Sequence, residues 1–237
     1  MKTETLEYRD GGTSCRGILV YDETKSGRRP GLVIAPDIRG VGVRPKGKPE
    51  RLAALGYAVL VADMYGNATN MRDFNHGMEI MKGVRSSAAA WRSRIGAAVD
   101  ALAARPEADK GRMAAIGYCF GGSTVIELAL GGADVRAVVS FHGGLEGLQL
   151  QDAAKIKARV LVCTGVEDPL VPASQVVALQ EALRQGKVAD WQIATYGNTK
   201  HSFTDPDAAD TPNTAYNKDA DERSWASMVA LFKEAFA

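Results

Sequence analysis

The sequence predicts an α/β fold with a mostly parallel central sheet, helices on both of its faces and an antiparallel hairpin at the N-terminus. One observation and one general rule support this class. Short apolar runs alternate with longer stretches of helical periodicity along the chain, and alternating strands and helices form parallel sheets that are covered on both faces. The length of 237 residues suits one large α/β domain, so we expect a single domain over residues 1–237.

The individual elements follow from these runs. Two β-like segments, residues 4–9 and 14–21, flank Gly11 and Gly12, which is typical of a hairpin. A helix is expected directly after Cys119. The remaining strands are predicted at 31–36, 57–65, 112–118, 136–142, 159–165 and 191–197, and the remaining helices at 49–56, 74–104, 173–186 and 219–236.

The helical stretch over 74–104 is predicted to be bent or broken. Gly77, Gly83 and Gly96 lie within it, and glycine costs about 1 kcal/mol in a helix interior. The last predicted helix carries a regular apolar stripe, which indicates the face that packs on the core. That stripe consists of Trp225, Met228, Val229, Phe232 and Phe236.

Composition limits the classes of function. Hydrophobic residues make up 46% of the chain and the formal net charge is +1, so we expect a sizeable core and no binding to nucleic acid or to an anionic membrane. Neither a signal peptide nor a run of about 18 apolar residues is found. A cytoplasmic protein with a small-molecule substrate is therefore expected. Cys15, Cys119 and Cys163 lack the paired spacing of a zinc site or a disulfide framework, which favours reduced thiols.

Polar residues close several of the apolar runs. Ligand chemistry in a parallel sheet lies beyond the carboxyl ends of the strands, so these residues are candidates for a site. Each of them taken alone could equally cap a helix or hold a turn. The candidates are Asp37, Asp63, Cys119, His142 and Asp168, with His201 in the loop after the last strand.

Residues 117–122, Gly-Tyr-Cys-Phe-Gly-Gly, have the form of a strand-to-helix elbow that carries a nucleophile. Small residues are needed around the nucleophile because the turn brings neighbouring backbone close. The Cys119 sulfur would lie at a helix N-terminus, which favours the thiolate, and the Phe120 N–H would point toward a developing oxyanion. A buried cysteine in a glycine-rich turn is the alternative. For Cys15 and Cys163, which lie inside apolar runs, packing is the better interpretation.

A cysteine nucleophile needs a general base, and three histidines are available. In the α/β-hydrolase arrangement the chain order is nucleophile, acid, histidine, which excludes His76. No suitable acid lies between Cys119 and His142, so His142 is expected to be a turn residue bonded to backbone. His201 fits the order.

The acid of the predicted triad is Asp168. Its short carboxylate directly precedes Pro169 and is held by that turn, whereas the neighbouring Glu167 stays an alternative. Together with the elbow, these positions predict a triad of Cys119, His201 and Asp168.

The residues described so far resemble the dienelactone hydrolase family, the cysteine branch of the α/β-hydrolases. The resemblance covers nearly the whole chain and includes the elbow, Asp-x-x-Val-Pro at 168–172, His-Ser-Phe at 201–203 and the segment at 33–41. It implies an α/β-hydrolase fold and a hydrolase of carboxylic esters or lactones that forms an acyl-enzyme. We expect a monomer or homodimer. No metal or organic cofactor is expected, because candidate metal ligands are not clustered.

The resemblance also implies roles for two residues after the third strand. Asp37 occupies the position of a family glutamate that contacts the cysteine in the resting enzyme, and the Ile38 N–H would be the second oxyanion donor beside that of Phe120. Aspartate is one methylene shorter than glutamate. A turn cap is an equal alternative for Asp37.

The substrate pocket departs from the family pattern. Members that cleave dienelactone hold a substrate carboxylate with arginines, one of them four residues after the catalytic histidine, where this chain has Asp205. The arginines that could substitute are Arg39, Arg72 and Arg85. Side chains expected to line the pocket are Tyr65, Phe203 and Arg85.

Other functions are compatible with the same residues. An acyltransferase or thioesterase would use the same triad and differ only in its acceptor. Cys119 could instead be a redox-sensing thiol on a non-catalytic scaffold, or the chain could be a binding module that kept the fold without turnover. Testing acceptors separates an acyltransferase or thioesterase, and peroxide treatment followed by thiol counting tests the redox-sensing thiol. A panel of esters and lactones tests the hydrolase.

Overall fold

A computed structural model describes residues 1–42 and 47–237 of the chain. These residues group into two compact units, Met1–Ile116 and Gly117–Ala237. The prediction of a single domain over residues 1–237 stays a prediction. Within the described ranges, no helix is long and apolar enough to cross a membrane.

The first unit contains five strands and three helices among its described residues. Its strands follow the order β1-β2-β4-β3-β5, with β1/β2 and β2/β4 antiparallel and β3/β4 parallel. The predicted hairpin is confirmed. The elements are β1 (Lys2–Asp10), β2 (Thr13–Tyr21), β3 (Arg29–Ala35), α1 (Lys48–Ala54), β4 (Ala58–Val61), α2 (Phe74–Arg85), α3 (Ala88–Ala103) and β5 (Ala108–Tyr118).

Strand β4 ends at Val61, earlier than the predicted 57–65, because Asp63 draws the following backbone into a turn. The buried Asp63 carboxylate accepts hydrogen bonds from the backbone N–H groups of Tyr65, Gly66 and Ala68. A side chain that satisfies three amides of one turn competes with continuation of the strand.

The long helical stretch is broken, as predicted, but the glycines are not the cause. Helix α2 ends at Arg85 and α3 begins at Ala88, and the Ser87 hydroxyl caps α3 by accepting from the Ala90 N–H at 3.3 Å. All three glycines lie inside the two helices. The serine cap therefore sets the boundary.

The second unit begins with the last two residues of β5 and contains three further parallel strands, in the order β6-β7-β8. Every residue of α4 is buried. A short 3₁₀ helix at Leu150–Lys155 was not predicted. The labelled elements are α4 (Phe120–Leu130), β6 (Ala137–Phe141), β7 (Arg159–Gly165), α5 (Ala173–Gln185), β8 (Trp191–Tyr196) and α6 (Lys218–Ala235).

The apolar stripe of α6 faces the interior of this unit. Trp225, Met228 and Phe232 are buried, and Val229 and Phe236 are half-buried. The Asn217 side chain caps the helix by accepting from the Ala220 N–H. The predicted class, mostly parallel α/β with an N-terminal antiparallel hairpin, is confirmed.

Candidate active site

The elbow holds Cys119 in a backbone conformation that few residues adopt. Strand β5 ends at Tyr118, α4 begins at Phe120, and Cys119 joins them with φ 54° and ψ −116°. A non-glycine residue in such a region costs about 1–3 kcal/mol and persists only where its surroundings hold it. The turn places Cys119 directly before the first amides of α4, where partial positive charge favours an anion.

Glycine is required around this turn because backbone approaches it closely. A Cβ at Gly117 would lie 1.9 Å from the Gly121 carbonyl oxygen, and a Cβ at Gly122 would lie 2.7 Å from Gly143 Cα. Both are far inside van der Waals contact. The expectation that a small residue is needed two positions before Cys119 is therefore confirmed at Gly117, and Gly122 is a further position where a side chain does not fit.

The acid loop follows β7 and is held by the loop that carries His201. A Cβ at Gly165 would lie 2.1 Å from the Thr199 carbonyl oxygen, which in turn accepts from the Glu167 N–H at 3.0 Å. The Asp168 side chain is buried and accepts from the Leu170 N–H through Oδ1 at 2.9 Å. This turn leaves the other carboxylate oxygen directed at the histidine loop. Glu167 is exposed.

His201 is the hydrogen-bond partner of that second carboxylate oxygen. Its Nδ1 lies 2.8 Å from Asp168 Oδ2, and the ring is buried. Since the carboxylate can only accept, Nδ1 carries the proton. The backbone of His201 is fixed by pairing with a neighbouring segment, because its N–H donates to the Asn213 carbonyl and its carbonyl accepts from the Ala215 N–H, both at 3.1 Å.

The other ring nitrogen of His201, Nε2, is buried. The Cys119 side chain acts on the ring through its charge and through a side-chain hydrogen bond. Burial lowers the pKa of the imidazole, but the negative charge of Cys119 and the hydrogen bond to Asp168 outweigh it, so the pKa rises from 6.5 to about 10. The site therefore favours the protonated imidazole of His201.

A further histidine that sequence reasoning set aside also lies at the elbow. His142 Nδ1 accepts from the Cys119 N–H at 3.2 Å, and its ring packs edge-on against His201 with 5.0 Å between ring centroids. The expectation of a turn residue bonded to backbone describes this bond, but it missed that the backbone partner is the cysteine. Both residues close adjacent apolar runs, which was the available signal.

The remaining cysteines are buried away from solvent. Burial raises the pKa of the Cys163 thiol to about 12 and also raises that of Cys15. All three cysteines are free thiols. Protonated buried thiols are poor nucleophiles and poor disulfide partners. Across residues 1–42 and 47–237, no cluster of histidine, cysteine or carboxylate side chains has the form of a metal site.

The sequence model of the dienelactone hydrolase family matches residues 16–236. The chain belongs to the dienelactone hydrolase family. It is therefore a hydrolase that acts on lactones or esters, with the α/β-hydrolase fold.

Individual relatives and solved structures are similar to the chain over parts or nearly all of its length. The chain is 44% identical to a solved dienelactone hydrolase-like promiscuous phosphotriesterase from metagenomic libraries, over 99% of this chain and 98% of that one, with a TM-score of 0.93. An uncharacterized Caenorhabditis elegans protein is 37% identical over 152 residues, 61% of this chain and 93% of its own length. The Mus musculus carboxymethylenebutenolidase homolog is 28% identical over 88 residues, 37% of this chain and 35% of its own length.

Asp37, which aligns by resemblance with the dienelactone hydrolase glutamate, is engaged by Arg39. Both carboxylate oxygens accept from the guanidinium, at 2.6 Å for the Nη2 to Oδ2 pair, and Oδ1 also accepts from the Arg39 N–H at 2.8 Å. These bonds are those of a turn cap. Its role as resting partner of the cysteine, and that of the Ile38 N–H as oxyanion donor, stay predictions. The Ile38 carbonyl accepts from the Tyr65 hydroxyl at 3.0 Å.

The side chains predicted to line the substrate pocket are all engaged within the fold. The Phe203 ring is fully buried and packs edge-on against His142 at 5.2 Å. The Arg85 guanidinium lies over the Trp91 ring at 5.0 Å, a cation–π contact. Asp205 accepts from the Asp207 N–H at 3.1 Å. The lining roles of Tyr65, Phe203 and Arg85 in this family member stay predictions.

Proposed function

We propose that the protein hydrolyses carboxylic esters or lactones through a triad of Cys119, His201 and Asp168 and a covalent acyl-enzyme. One observation carries the proposal. Asp168 bonds His201 Nδ1 at 2.8 Å, and Cys119 acts on the same buried ring through its charge and a side-chain hydrogen bond. That is the arrangement in which a base can take a proton from a thiol and return it to a leaving group.

The first half of the reaction transfers the acyl group to sulfur. The Cys119 thiol gives its proton to His201 Nε2, and the thiolate attacks the acyl carbon. The Phe120 N–H, at the start of α4, stabilises the oxyanion, with the Ile38 N–H as the predicted second donor. When the carbon–oxygen bond breaks, His201 protonates the alkoxide, which leaves as an alcohol or stays attached as the opened end of a lactone.

The second half releases the acid. His201 takes a proton from water, the hydroxide attacks the thioester, and the tetrahedral intermediate expels the Cys119 thiolate. The imidazolium is then again paired with the thiolate. Asp168 keeps the ring in one tautomer through both halves and stabilises its charged form.

Transfer to an acceptor other than water would use the same acyl-enzyme, so an acyltransferase differs only in the second half. A thioesterase also uses water as acceptor and differs only in the first half, where a thiol leaves in place of an alcohol. A redox-sensing thiol is less well supported. Both other cysteines are buried, with pKa values raised by burial, and such thiols react slowly in disulfide exchange.

Phosphotriester hydrolysis is a second candidate function. The observation that favours it is the 44% identity, over 99% of the chain, to the protein described as a promiscuous phosphotriesterase. The same thiolate could attack phosphorus, with the phosphoryl oxygen in the place of the acyl oxyanion. A dialkyl aryl phosphate that releases a coloured phenol measures this activity directly.

The decisive test is Cys119→Ala, assayed with aryl esters, lactones and the phosphate triester. Turnover should fall by several orders of magnitude, the loss that follows removal of a triad nucleophile, while circular dichroism stays that of the wild type. Mass spectrometry of the wild type quenched with a slow ester should find the acyl group on the Cys119 peptide. A folded Cys119→Ala protein that keeps most of its turnover contradicts the mechanism.

A further inference from the structure

His142 occupies a strained position at the end of β6. It is a buried residue with φ 41°, in the left-handed region that side chains other than glycine rarely adopt. Its N–H donates to the Cys163 carbonyl at 2.8 Å. A non-glycine residue in this region is retained where its side chain makes specific bonds.

The first of those bonds is made to the nucleophile's own backbone. The Cys119 N–H is shared between the Phe141 carbonyl at 3.0 Å and His142 Nδ1 at 3.2 Å. A backbone N–H can only donate, so Nδ1 is unprotonated and the ring proton of neutral His142 resides on Nε2.

The second bond joins the ring to the loop that carries His201. His142 Nε2 lies 2.9 Å from the hydroxyl of Thr204, a buried residue three positions after His201. With the proton on Nε2, the ring donates and the hydroxyl accepts. Its edge-on contacts with His201 and Phe203 fill the space between the elbow and this loop.

We infer that His142, kept neutral with its proton on Nε2, is a positioning residue that sets the place of the Cys119 sulfur relative to His201. The inference rests on the proposed function of Cys119 and His201. His142 is not a proton shuttle, because both of its nitrogens are used in hydrogen bonds. An error in the placement of reacting atoms lowers the rate of the chemical step while leaving substrate binding nearly intact.

The test compares three variants of this network. His142→Leu removes both bonds. His142→Asn keeps an oxygen that can reach the Cys119 N–H in place of Nδ1, but it cannot reach Thr204. Thr204→Val removes the acceptor with little change of shape, and its matched control is Thr164→Val, the same change at a buried hydroxyl without a hydrogen-bond partner in the described ranges.

Each protein is assayed for kcat and KM with a neutral aryl ester, and for the pH dependence of the rate at which iodoacetamide alkylates Cys119. Loss of one hydrogen bond is expected to change a rate constant by about tenfold. We therefore expect His142→Leu to lower kcat about tenfold with KM within about twofold, and to move the alkylation profile to higher pH. His142→Asn should restore kcat to within about threefold of the wild type. The kcat of Thr204→Val should lie between those of His142→Leu and His142→Asn, and that of Thr164→Val should match the wild type.

Wild-type kcat and alkylation in a folded His142→Leu protein would overturn the inference. So would a His142→Asn protein no better than His142→Leu, since ring packing alone would then explain the loss. Should the histidine variants fail to fold, Thr204→Val decides, and its equality with Thr164→Val contradicts the inference. Cys119→Ala in the same assay distinguishes failure of the proposed function from failure of the inference about His142. If Cys119→Ala retains its turnover, the proposed function is contradicted as well. If Cys119→Ala is inactive while the His142 variants behave like the wild type, only the inference about His142 is contradicted.

Discussion

Asp168 Oδ2 lies 2.8 Å from His201 Nδ1, and both side chains are almost completely buried. Because the bond is shielded from water, it holds the imidazole in one tautomer and one orientation. In the proposed mechanism, Nε2 is then the ring nitrogen that exchanges protons at every step.

Loss of this bond should cost most of the rate. Asp168→Asn lets the ring adopt the wrong tautomer, which we expect to lower kcat by about 10⁴, and His201→Ala should be at least as severe. Glu167→Gln is the matched control, since the neighbouring carboxylate is exposed, and it should leave kcat unchanged. An inactive Glu167→Gln beside an active Asp168→Asn would reassign the acid.

The raised pKa of His201 predicts a pH dependence of stability. Its folded-state pKa of about 10 exceeds the ordinary value of 6.5, so the stabilisation is fully present below about pH 6.5 and is lost as the pH rises through 10. The free energy of unfolding, measured with urea from pH 6 to 10.5, should therefore fall more steeply in the wild type than in His201→Gln. His76→Gln should behave like the wild type. Parallel curves for the wild type and His201→Gln would show that the pKa is not raised.

The elbow should not tolerate a methyl group at Gly117. A Cβ there would lie 1.9 Å from the Gly121 carbonyl oxygen, and backbone cannot move aside as a flexible side chain can. We expect Gly117→Ala to lower the free energy of unfolding by at least about 3 kcal/mol, or to prevent folding. Gly96→Ala, in α3 with open space around the added carbon, should instead stabilise the protein by about 0.5–1 kcal/mol. Equal stability of the two variants would contradict the close approach.

Asp205 predicts a preference for uncharged substrates. Its carboxylate stands where the family pattern places an arginine, so we expect a higher kcat/KM for a neutral ester or lactone than for its analogue with a free carboxylate. Asp205→Arg should narrow that gap by about tenfold or more, the contribution of a charge-assisted bond. Asp207→Arg makes the same charge change at an exposed neighbour. It should narrow the difference in kcat/KM only slightly, and only at low salt. If the wild type prefers the acidic substrate, a cationic side chain elsewhere binds the substrate carboxylate in place of the family arginine.

Much of the fold was predictable because its determinants are local. Residues 4–9 and 14–21 alternate around a glycine pair and form β1 and β2, and the apolar run 159–165 coincides with β7. The elbow could be recognised because its spacing follows from backbone contact within six residues, as Gly117 and Gly121 demonstrate. The chain order of the site residues required no distances at all.

The remaining features depend on contacts that no local pattern encodes. Asp63 ends β4 by bonding amides that come after it, as well as the Arg16 N–H from a distant strand at 3.0 Å. The contact of His142 with Cys119 arises because two strand ends separated by 23 residues meet. Hydrophobic periodicity locates the end of each strand, but it does not show which strand ends lie next to each other in the fold.

The backbone of Cys119 has an evolutionary consequence. A residue held at φ 54° and ψ −116° would be more relaxed as glycine, which has no Cβ. The cysteine is thus kept at a position whose backbone conformation favours glycine. Where turnover is not under selection, Cys119→Gly would be favoured by stability alone.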